Sequence, residues 1–151
     1  MPHSHSCCLL HVVFATAGRR SILPDAMREQ LYGFIGGIAR EHGLPALAVG
    51  GTADHIHVLI SLPRTISVAK AIQVLKGSSS KWIHENFPHM RGFAWQEGYG
   101  AFSIGVSQRD VTVHYIETQM EHHQRYGFAE EMQKFVTVHA TVGLGSTRSL
   151  D

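Results

Sequence analysis

The stretch that decides the fold is LPALAVGGTADHIHVLISL, residues 44–62, in which two apolar runs flank a short connection. Each run has the length and the Val, Leu and Ile content of a β-strand, and the connection is short enough for a hairpin. The stretch therefore predicts two adjacent antiparallel strands. Its second run also carries two histidines, His55 and His57, separated by one isoleucine.

The two histidines project from one face of the predicted strand, because side chains alternate between faces along a strand. Two neighbouring imidazoles can chelate a divalent ion. The same pattern fits a pair of partly buried, hydrogen-bonded histidines, and His3 and His5 repeat it in a chain that has 12 histidines. The pattern by itself leaves both interpretations open.

The elements on either side of the hairpin complete an α+β domain. They are a strand over 7–16, a helix over 24–43, a helix over 65–87 bent near Gly77, an extended region over 93–105, a helix from a Ser107–Asp110 capping signature to about Arg125, and a short helix over 128–138. This order predicts a ferredoxin-like or RRM-like split βαβ sandwich. We expect an antiparallel sheet with helices mainly on one face, plus a C-terminal tyrosine-bearing helix.

Length and composition predict one domain over 7–138, with a disordered start over 1–6 and a flexible tail over 139–151. The adjacent Cys7 and Cys8 point to opposite sides of a strand, so a disulfide framework is not expected. The apolar run after them lacks the positively charged start of a signal peptide, and no stretch is long enough to span a membrane. We therefore expect a soluble cytoplasmic protein.

Charge is unevenly distributed, although the net charge is only +1. Residues 64–91 carry five basic side chains against one acid, and residues 110–131 carry five acids against one base. The small net charge argues against indiscriminate coating of duplex nucleic acid. The basic segment is nevertheless suited to phosphates.

The helix after residue 107 carries a second unusual pair, Tyr115 and Gln119, which are one turn apart. Its apolar stripe is Val113, Ile116 and Met120, and the spacing places Tyr115 roughly opposite that stripe. A hydroxyl and an amide oxygen turned away from the core are unusual for a purely structural helix. The alternative is an exposed surface pair.

Four motifs in this order resemble the single-tyrosine HUH transposases of small bacterial insertion sequences, where HUH denotes His-hydrophobic-His. They are HIH after TADH, LKGSSSKWI, WQEGYGAFSIG and HYIETQMEHH. The resemblance runs from about His11 to about Phe135. One departure is Thr118, where an asparagine often precedes the glutamine.

The resemblance implies a DNA transposase that cleaves and rejoins single-stranded transposon ends through a 5′-phosphotyrosine intermediate. By motif position, Tyr115 is the nucleophile, and His55, His57 and Gln119 bind Mg²⁺ or Mn²⁺. Asp54 is a candidate supporting group for the adjacent histidine. The resemblance also implies a hairpin in the DNA substrate and a homodimer in which the tyrosine helix of one subunit acts in trans.

DNA contacts are predicted from a run of hydrogen-bond donors in the second long helix and from two arginines after the first strand. Such side chains bind phosphate oxygens. The predicted contacts are Arg19, Arg20, Lys76, Ser78, Ser79, Ser80 and Lys81. Trp95 and Tyr99 are candidates for stacking on unpaired bases, although core packing is the better role for Trp95. His114 and His122 are rival ligands whose simpler role is that of solvated helix histidines.

Two alternatives come from other functional classes. A non-catalytic nucleic-acid-binding module on the same fold would bind DNA without Tyr115 or metal. A metal-dependent nuclease that uses water would need His55 and His57 but not the tyrosine. A domesticated relative with the same chemistry is a third alternative.

Overall fold

The computed structural model describes residues 3–119 and 127–140. Within these ranges the order of strands and helices is the predicted one. The elements are β1 (Leu9–Ala15), α1 (Asp25–Glu41), β2 (Ala46–Gly51), β3 (His55–Ser61), α2 (Val68–Asn86), β4 (Gly100–Ile104), α3 (Arg109–Glu117) and α4 (Phe128–Ala140).

The four strands form one antiparallel sheet in the order β2-β3-β1-β4. This is the strand order of the ferredoxin-like fold, as the sequence predicted. The strand with the two histidines, β3, lies inside the sheet, between its hairpin partner β2 and the first strand β1. Helices cover both faces, which explains why β1 and β3 read as nearly continuous apolar runs.

The first face of the sheet carries the larger core. Residues that alternate along β1 and β3, among them Val12, Phe14, Ile56 and Val58, pack against α1 and α2. On α1 the buried side chains include Met27, Leu31 and Ile35, spaced by four residues as on one face of a helix. This face fixes β3, and the second face of that strand is then free to carry polar groups.

The second face is covered by α3 and α4, so the helices are shared between both faces. A small apolar cluster of Leu9, Ala48, Leu59 and Ile116 joins α3 to the sheet. Toward strand β4 on the same face, Phe135 of α4 stacks on Phe102, with ring centroids 5.3 Å apart. His55 and His57 share this face with Leu59, because all three alternate with the side chains of the larger core.

Two glycines let these helices approach the sheet closely. Gly50 pairs with His57 across the β2–β3 ladder. A Cβ atom at Gly50 would lie 2.2 Å from the carbonyl oxygen of Ile116 in α3. At Gly100 a Cβ would lie 2.6 Å from the terminal methyl of Met132 in α4. The absence of a side chain at each position therefore sets how far α3 and α4 sit from the histidine strand.

Some predicted boundaries were wrong in detail. Helix α2 runs without a break through Gly77, because its buried stripe continues on both sides of that residue, at Leu75 and Ser79. Helix α3 begins at Arg109. The predicted Ser107 cap is not formed. Instead, the side-chain oxygen of Gln108 accepts a hydrogen bond from the backbone N–H of Gly105, at the start of the short 3-10 turn that precedes α3.

Helix α3 ends earlier than predicted, at Glu117. The hydroxyl of Thr118 donates to the carbonyl of His114, 2.8 Å away, as the backbone leaves the helical conformation. Residues 120–126, including His122, lie outside the described residues, as do Met1, Pro2 and residues 141–151. The predicted domain limits at 7 and 138 stay predictions.

Two compositional expectations can be compared with the described residues. Cys7 and Cys8 are both exposed and free, in agreement with the absence of a disulfide framework. Among the helices of residues 3–119 and 127–140, none has the length and apolar character needed to cross a membrane.

Candidate active site

The two histidines of β3 lie under α4 with no exposed surface. Their ring centroids are 5.0 Å apart. Both Nε2 atoms face one carboxylate, that of Glu131 in α4, at 3.4 Å from His55 and 3.3 Å from His57. The predicted pair on one strand face is therefore a real pair of imidazoles that present the same ring nitrogen to one point.

The opposite ring nitrogen of each histidine is held from behind. Nδ1 of His55 lies 2.7 Å from a carboxylate oxygen of Asp54, which also accepts a hydrogen bond from the Thr52 hydroxyl at 2.8 Å. Nδ1 of His57 lies 2.7 Å from Nε2 of His11 on β1. These contacts fix the ring orientations, as the groups behind metal-binding histidines usually do. Asp54 thus supports His55 as expected.

Tyr115 lies between the sheet and α4, beside the histidines. Its ring meets His57 and Phe135 edge to face, with centroid distances of 5.8 Å to each. Its hydroxyl donates a hydrogen bond to the carboxylate of Glu131. The sequence placed Tyr115 opposite the apolar stripe and away from the core. That orientation was wrong, because α4 supplies a second apolar partner and leaves the ring only partly exposed.

Gln119 is also buried. Its amide nitrogen donates to the backbone carbonyl of Tyr115, 3.0 Å away. Its amide oxygen has no hydrogen-bond partner within the described part of the chain. A buried oxygen without a partner is costly, at about 1–3 kcal/mol, and a bound cation would remove that cost.

Glu131 is the site residue that the sequence reading missed. It lies on the stripe of α4 that faces the sheet. Phe128 is three residues before it, and Met132 and Phe135 are one and four residues after it. A carboxylate inside an apolar stripe is unusual, and this was the available signal. Its two oxygens now meet the two imidazoles and the tyrosine hydroxyl.

The electrostatics of the cluster favour opposite charges. Burial raises the pKa of Glu131, but hydrogen bonds from His55 and His57 and their charges outweigh it and lower the pKa to about 2. Burial lowers the pKa of His55, but hydrogen bonds and charges from Asp54 and Glu131 raise it above its ordinary value. The protein without metal therefore holds an ionised carboxylate against a histidine that retains its proton readily.

The donor set fits a divalent cation. One ligand atom from each of His55, His57 and Glu131 lies within 4.8 Å of the others, and all three residues are buried. Ligands at right angles around an ion with bonds of about 2.1 Å lie about 3 Å apart, close to the 3.3 and 3.4 Å found here. Two imidazoles and a carboxylate could hold a metal at this point.

A family comparison identifies the family of this chain. The profile of the family described as "Transposase IS200 like" matches residues 4–119, most of the chain. The chain belongs to this family. It is therefore a transposase, an enzyme of DNA transposition, and the resemblance inferred from its four motifs is confirmed.

Individual relatives agree with the family. The transposase of insertion sequence element IS200 from Salmonella typhimurium is 28% identical over 127 residues, which cover 80% of this chain and 82% of that protein. The ISDra2 transposase TnpA from Deinococcus radiodurans is 23% identical over 114 residues, which cover 72% of this chain and 81% of that protein.

Two solved structures share the fold of this transposase. A candidate transposase from Deinococcus radiodurans matches with a TM-score of 0.64 at 24% identity, over 79% of this chain and 98% of the other. A REP-associated tyrosine transposase, solved with a REP hairpin bound, matches with a TM-score of 0.54 at 16% identity, over 77% and 70% of the two chains.

Of the predicted DNA contacts, Arg19 lies near the site of this transposase. Arg19 and Arg20 are exposed just after β1. The Arg19 guanidinium lies over the ring of Phe128, 5.2 Å from its centroid, and that ring lies 4.8 Å from the ring of His55. The positive charge of Arg19 therefore lies at one edge of the histidine cluster.

The donors of α2 are more dispersed. Helix α2 packs on the opposite face of the sheet from the histidines. Lys81 is exposed, with Glu85 4.0 Å away, and Ser78 and Ser80 are partly exposed. The structure does not bring these three residues to the histidine cluster, so they stay predicted contacts for DNA that reaches another surface of the transposase.

Ser79 and Lys76 have structural partners. Ser79 is fully buried, and its hydroxyl accepts a hydrogen bond from the indole nitrogen of Trp95 at 2.9 Å. Ser79 is therefore a core residue, and its prediction as a DNA contact was wrong. The Lys76 ammonium donates to the carbonyls of Gln96 and Gly98, at 2.7 and 3.1 Å, and burial lowers its pKa.

Trp95 packs in the larger core, which was the preferred of its two predicted roles. Tyr99 is exposed and remains a candidate for stacking on a base. The histidines, by contrast, are closed off. With α4 in place, no phosphodiester could reach His55 or His57 from solvent, because neither exposes any surface.

Proposed function

We propose that this transposase cleaves and rejoins single-stranded DNA through a covalent bond between Tyr115 and a 5′-phosphate, at a divalent-metal site built on His55 and His57. One observation carries the proposal. The tyrosine hydroxyl and both imidazole Nε2 atoms meet the same carboxylate, that of Glu131. The nucleophile and the metal donors therefore converge on one point.

The proposed reaction forms one bond and breaks one. The phenolic oxygen of Tyr115 loses its proton to solvent as it attacks the scissile phosphorus, the P–O3′ bond breaks, and the departing 3′-oxygen takes up a proton from solvent. A bound metal would polarise the phosphate and stabilise charge on the leaving oxygen. In the reverse direction a 3′-hydroxyl attacks the phosphotyrosine, and the tyrosine leaves. Strands are rejoined without ATP because the bond energy is retained.

The tyrosine needs assistance, since an ordinary phenol has a pKa near 10. Glu131 accepts its hydrogen bond and so orients the phenolic oxygen. The pKa of Glu131, about 2, makes this carboxylate a weak base. We therefore assign Glu131 to orientation of the phenol and to cation binding in the closed arrangement, before DNA enters, and not to removal of the tyrosine proton.

The donor set we propose extends the predicted one. His55 and His57 contribute Nε2, and Gln119 contributes the amide oxygen that lacks a partner in residues 3–119 and 127–140. Glu131 adds a carboxylate in the closed arrangement. Nitrogen and oxygen donors of this kind accept Mg²⁺ or Mn²⁺, the ions expected from the resemblance.

DNA access requires α4 to move. This helix covers His55 and His57 and contributes Glu131 to them, so we propose that the described arrangement is closed and that substrate enters when α4 is displaced. Displacement removes the Glu131 carboxylate. Gln119, which follows α3 and not α4, then remains as the third predicted donor.

Single-stranded DNA with a hairpin is the substrate we propose, in a homodimer of this chain. The related protein solved with a REP hairpin supports a structured DNA partner. In the single chain described, Tyr115 already lies beside its own His57, which supports assembly of the site in cis. The resemblance implies the opposite, trans arrangement, and a mixture of complementary variants distinguishes the two.

A strand-cleavage assay tests the proposed function. Single-stranded oligonucleotides tiled across the DNA that flanks the gene would be incubated with Mg²⁺ or Mn²⁺ and resolved on a denaturing gel. We expect cleavage by the natural protein and by Tyr99→Phe, a matched control at an exposed tyrosine that loses the hydroxyl but keeps the ring available for stacking. We expect none by Tyr115→Phe, by His57→Ala or in EDTA.

The assay separates the alternatives. Cleavage that persists in Tyr115→Phe but stops in EDTA would establish a nuclease that uses water. Binding without cleavage, unchanged by Tyr115→Phe and by EDTA, would establish a passive nucleic-acid-binding module.

A further inference from the structure

His11 is a buried histidine in the middle of the otherwise apolar strand β1. It exposes 2% of its surface. Its Nε2 lies 2.7 Å from Nδ1 of His57, and the two rings have centroids 5.0 Å apart. Since β1 and β3 are neighbours with His11 two residues from the partner of His57, the contact is fixed by the sheet register.

A hydrogen bond between two neutral imidazoles contains one proton, and its position decides what His57 can do. If His11 donates, then Nδ1 of His57 accepts, and His57 must carry its proton on Nε2, the atom that faces the site. If His57 donates from Nδ1, then its Nε2 presents a lone pair. Only the second arrangement allows His57 to bind a cation.

We propose that His11 is a positioning residue: it accepts the hydrogen bond from Nδ1 of His57 and so holds His57 in the tautomer that binds metal. The proposal rests on the proposed metal site. It assigns to His11 the role that Asp54 fills for His55, where the acceptor is a carboxylate 2.7 Å from Nδ1.

The use of an imidazole at this position has a physical reason. His11 is enclosed by aromatic rings, with Phe135 edge to face at 5.0 Å and Tyr115 at 6.2 Å. A second carboxylate here would add a buried negative charge next to Glu131, and burial of an unpaired charge is costly. A neutral imidazole supplies the acceptor without that charge.

The test is metal affinity without DNA, measured by Mn²⁺ titration followed by electron paramagnetic resonance. We expect His11→Leu, which cannot accept a hydrogen bond, to bind Mn²⁺ about 10–100-fold more weakly than the natural protein. His11→Gln places an amide oxygen roughly at the position of Nε2, and we expect it to regain most of the affinity. Equal affinity in His11→Leu, or equal loss in both variants, would overturn the proposal.

A second measurement covers the case in which His11→Leu does not fold. Nitrogen-15 NMR of the natural protein with Mg²⁺ reports which nitrogen of His57 carries the proton. We expect Nδ1, and a proton on Nε2 would overturn the proposal. Failure of the proposed function looks different, because Mn²⁺ affinity would then be unchanged by His57→Ala in a protein whose His11 is intact.

Discussion

At the scale of single residues, the site depends on one carboxylate that several groups share. Glu131 meets His55, His57 and Tyr115, and its charged form is strongly favoured in the folded chain. The fold therefore gains stability from an ionised Glu131, and this gain depends on pH.

The metal-free protein should lose that gain in acid. The pKa of Glu131 falls from 4.5 to about 2 on folding, so its contribution is complete above about pH 4.5 and is lost as the pH falls through 2. The lowering corresponds to a free energy on the order of 3 kcal/mol. Urea unfolding in EDTA, from pH 5 to pH 2, should show the stability difference between the natural protein and Glu131→Gln shrinking.

The neighbouring Glu130 is exposed and provides the control. Glu130→Gln should leave the free energy of unfolding nearly unchanged at every pH. A difference between the natural protein and Glu131→Gln that stays constant from pH 5 to pH 2 would contradict the assigned contacts.

Metal binding should depend on pH in a higher range, near and above neutrality. The pKa of His55 is raised above 6.5, and a cation must displace the proton on its ring. Affinity for Mn²⁺ should therefore increase as the pH rises through and beyond 6.5, until His55 is neutral. Titration between pH 6 and 9 measures this, and Asp54→Asn should move the increase to lower pH. Affinity independent of pH over that range would be incompatible with His55 as a ligand.

At the scale of elements, the position of α3 is set by one glycine. A side chain at Gly50 would collide with the Ile116 carbonyl, one residue from Tyr115. Gly50→Ala should push α3 away from His57 and destabilise the fold by about 1–3 kcal/mol. Because Tyr115 moves with α3, most of the strand-cleavage activity should be lost.

Gly37→Ala in α1 is the matched control, because a Cβ there meets nothing within 4 Å. It should stabilise the fold by about 0.4–1 kcal/mol and leave cleavage unchanged. Thermal unfolding and the strand-cleavage assay measure both variants. Full cleavage activity in Gly50→Ala would show that the packing of α3 on β2 does not position the tyrosine.

Much of the fold could be predicted because its signals are local. The hairpin of β2 and β3 follows from two apolar runs and a short connection, and α1 follows from a four-residue apolar spacing. The His-x-His pair follows from strand alternation. These features need only neighbouring residues.

The rest depended on contacts between distant residues. His11 and His57 are 46 positions apart, and sixteen positions separate Tyr115 from Glu131. No local pattern predicts that α4 folds back over the sheet. The prediction from sequence therefore placed Tyr115 on the outer side of its helix and gave Glu131 no role. Ser79 was misassigned for the same reason, because its partner Trp95 lies in another segment.

At the scale of the whole molecule, the question is whether one chain builds the site alone. Tyr115 contacts His57 and Glu131 of its own chain. We therefore expect that co-expressed Tyr115→Phe and His57→Ala chains, purified as a mixture, will not cleave single-stranded DNA. Recovery of cleavage in the mixture would show that a tyrosine reaches the histidines of a second chain, as in the trans arrangement.

Mass spectrometry of the covalent product shows whether Tyr115 attacks DNA at the histidine site. Trypsin should release residues 110–125 as one peptide, in which Tyr115 is the only tyrosine. After reaction with a cleavable single strand and Mn²⁺, followed by nuclease digestion, we predict that this peptide carries a 5′-phosphonucleotide on Tyr115. The modification should be absent in EDTA and in His57→Ala. Cleaved DNA with an unmodified peptide would exclude Tyr115 as the nucleophile.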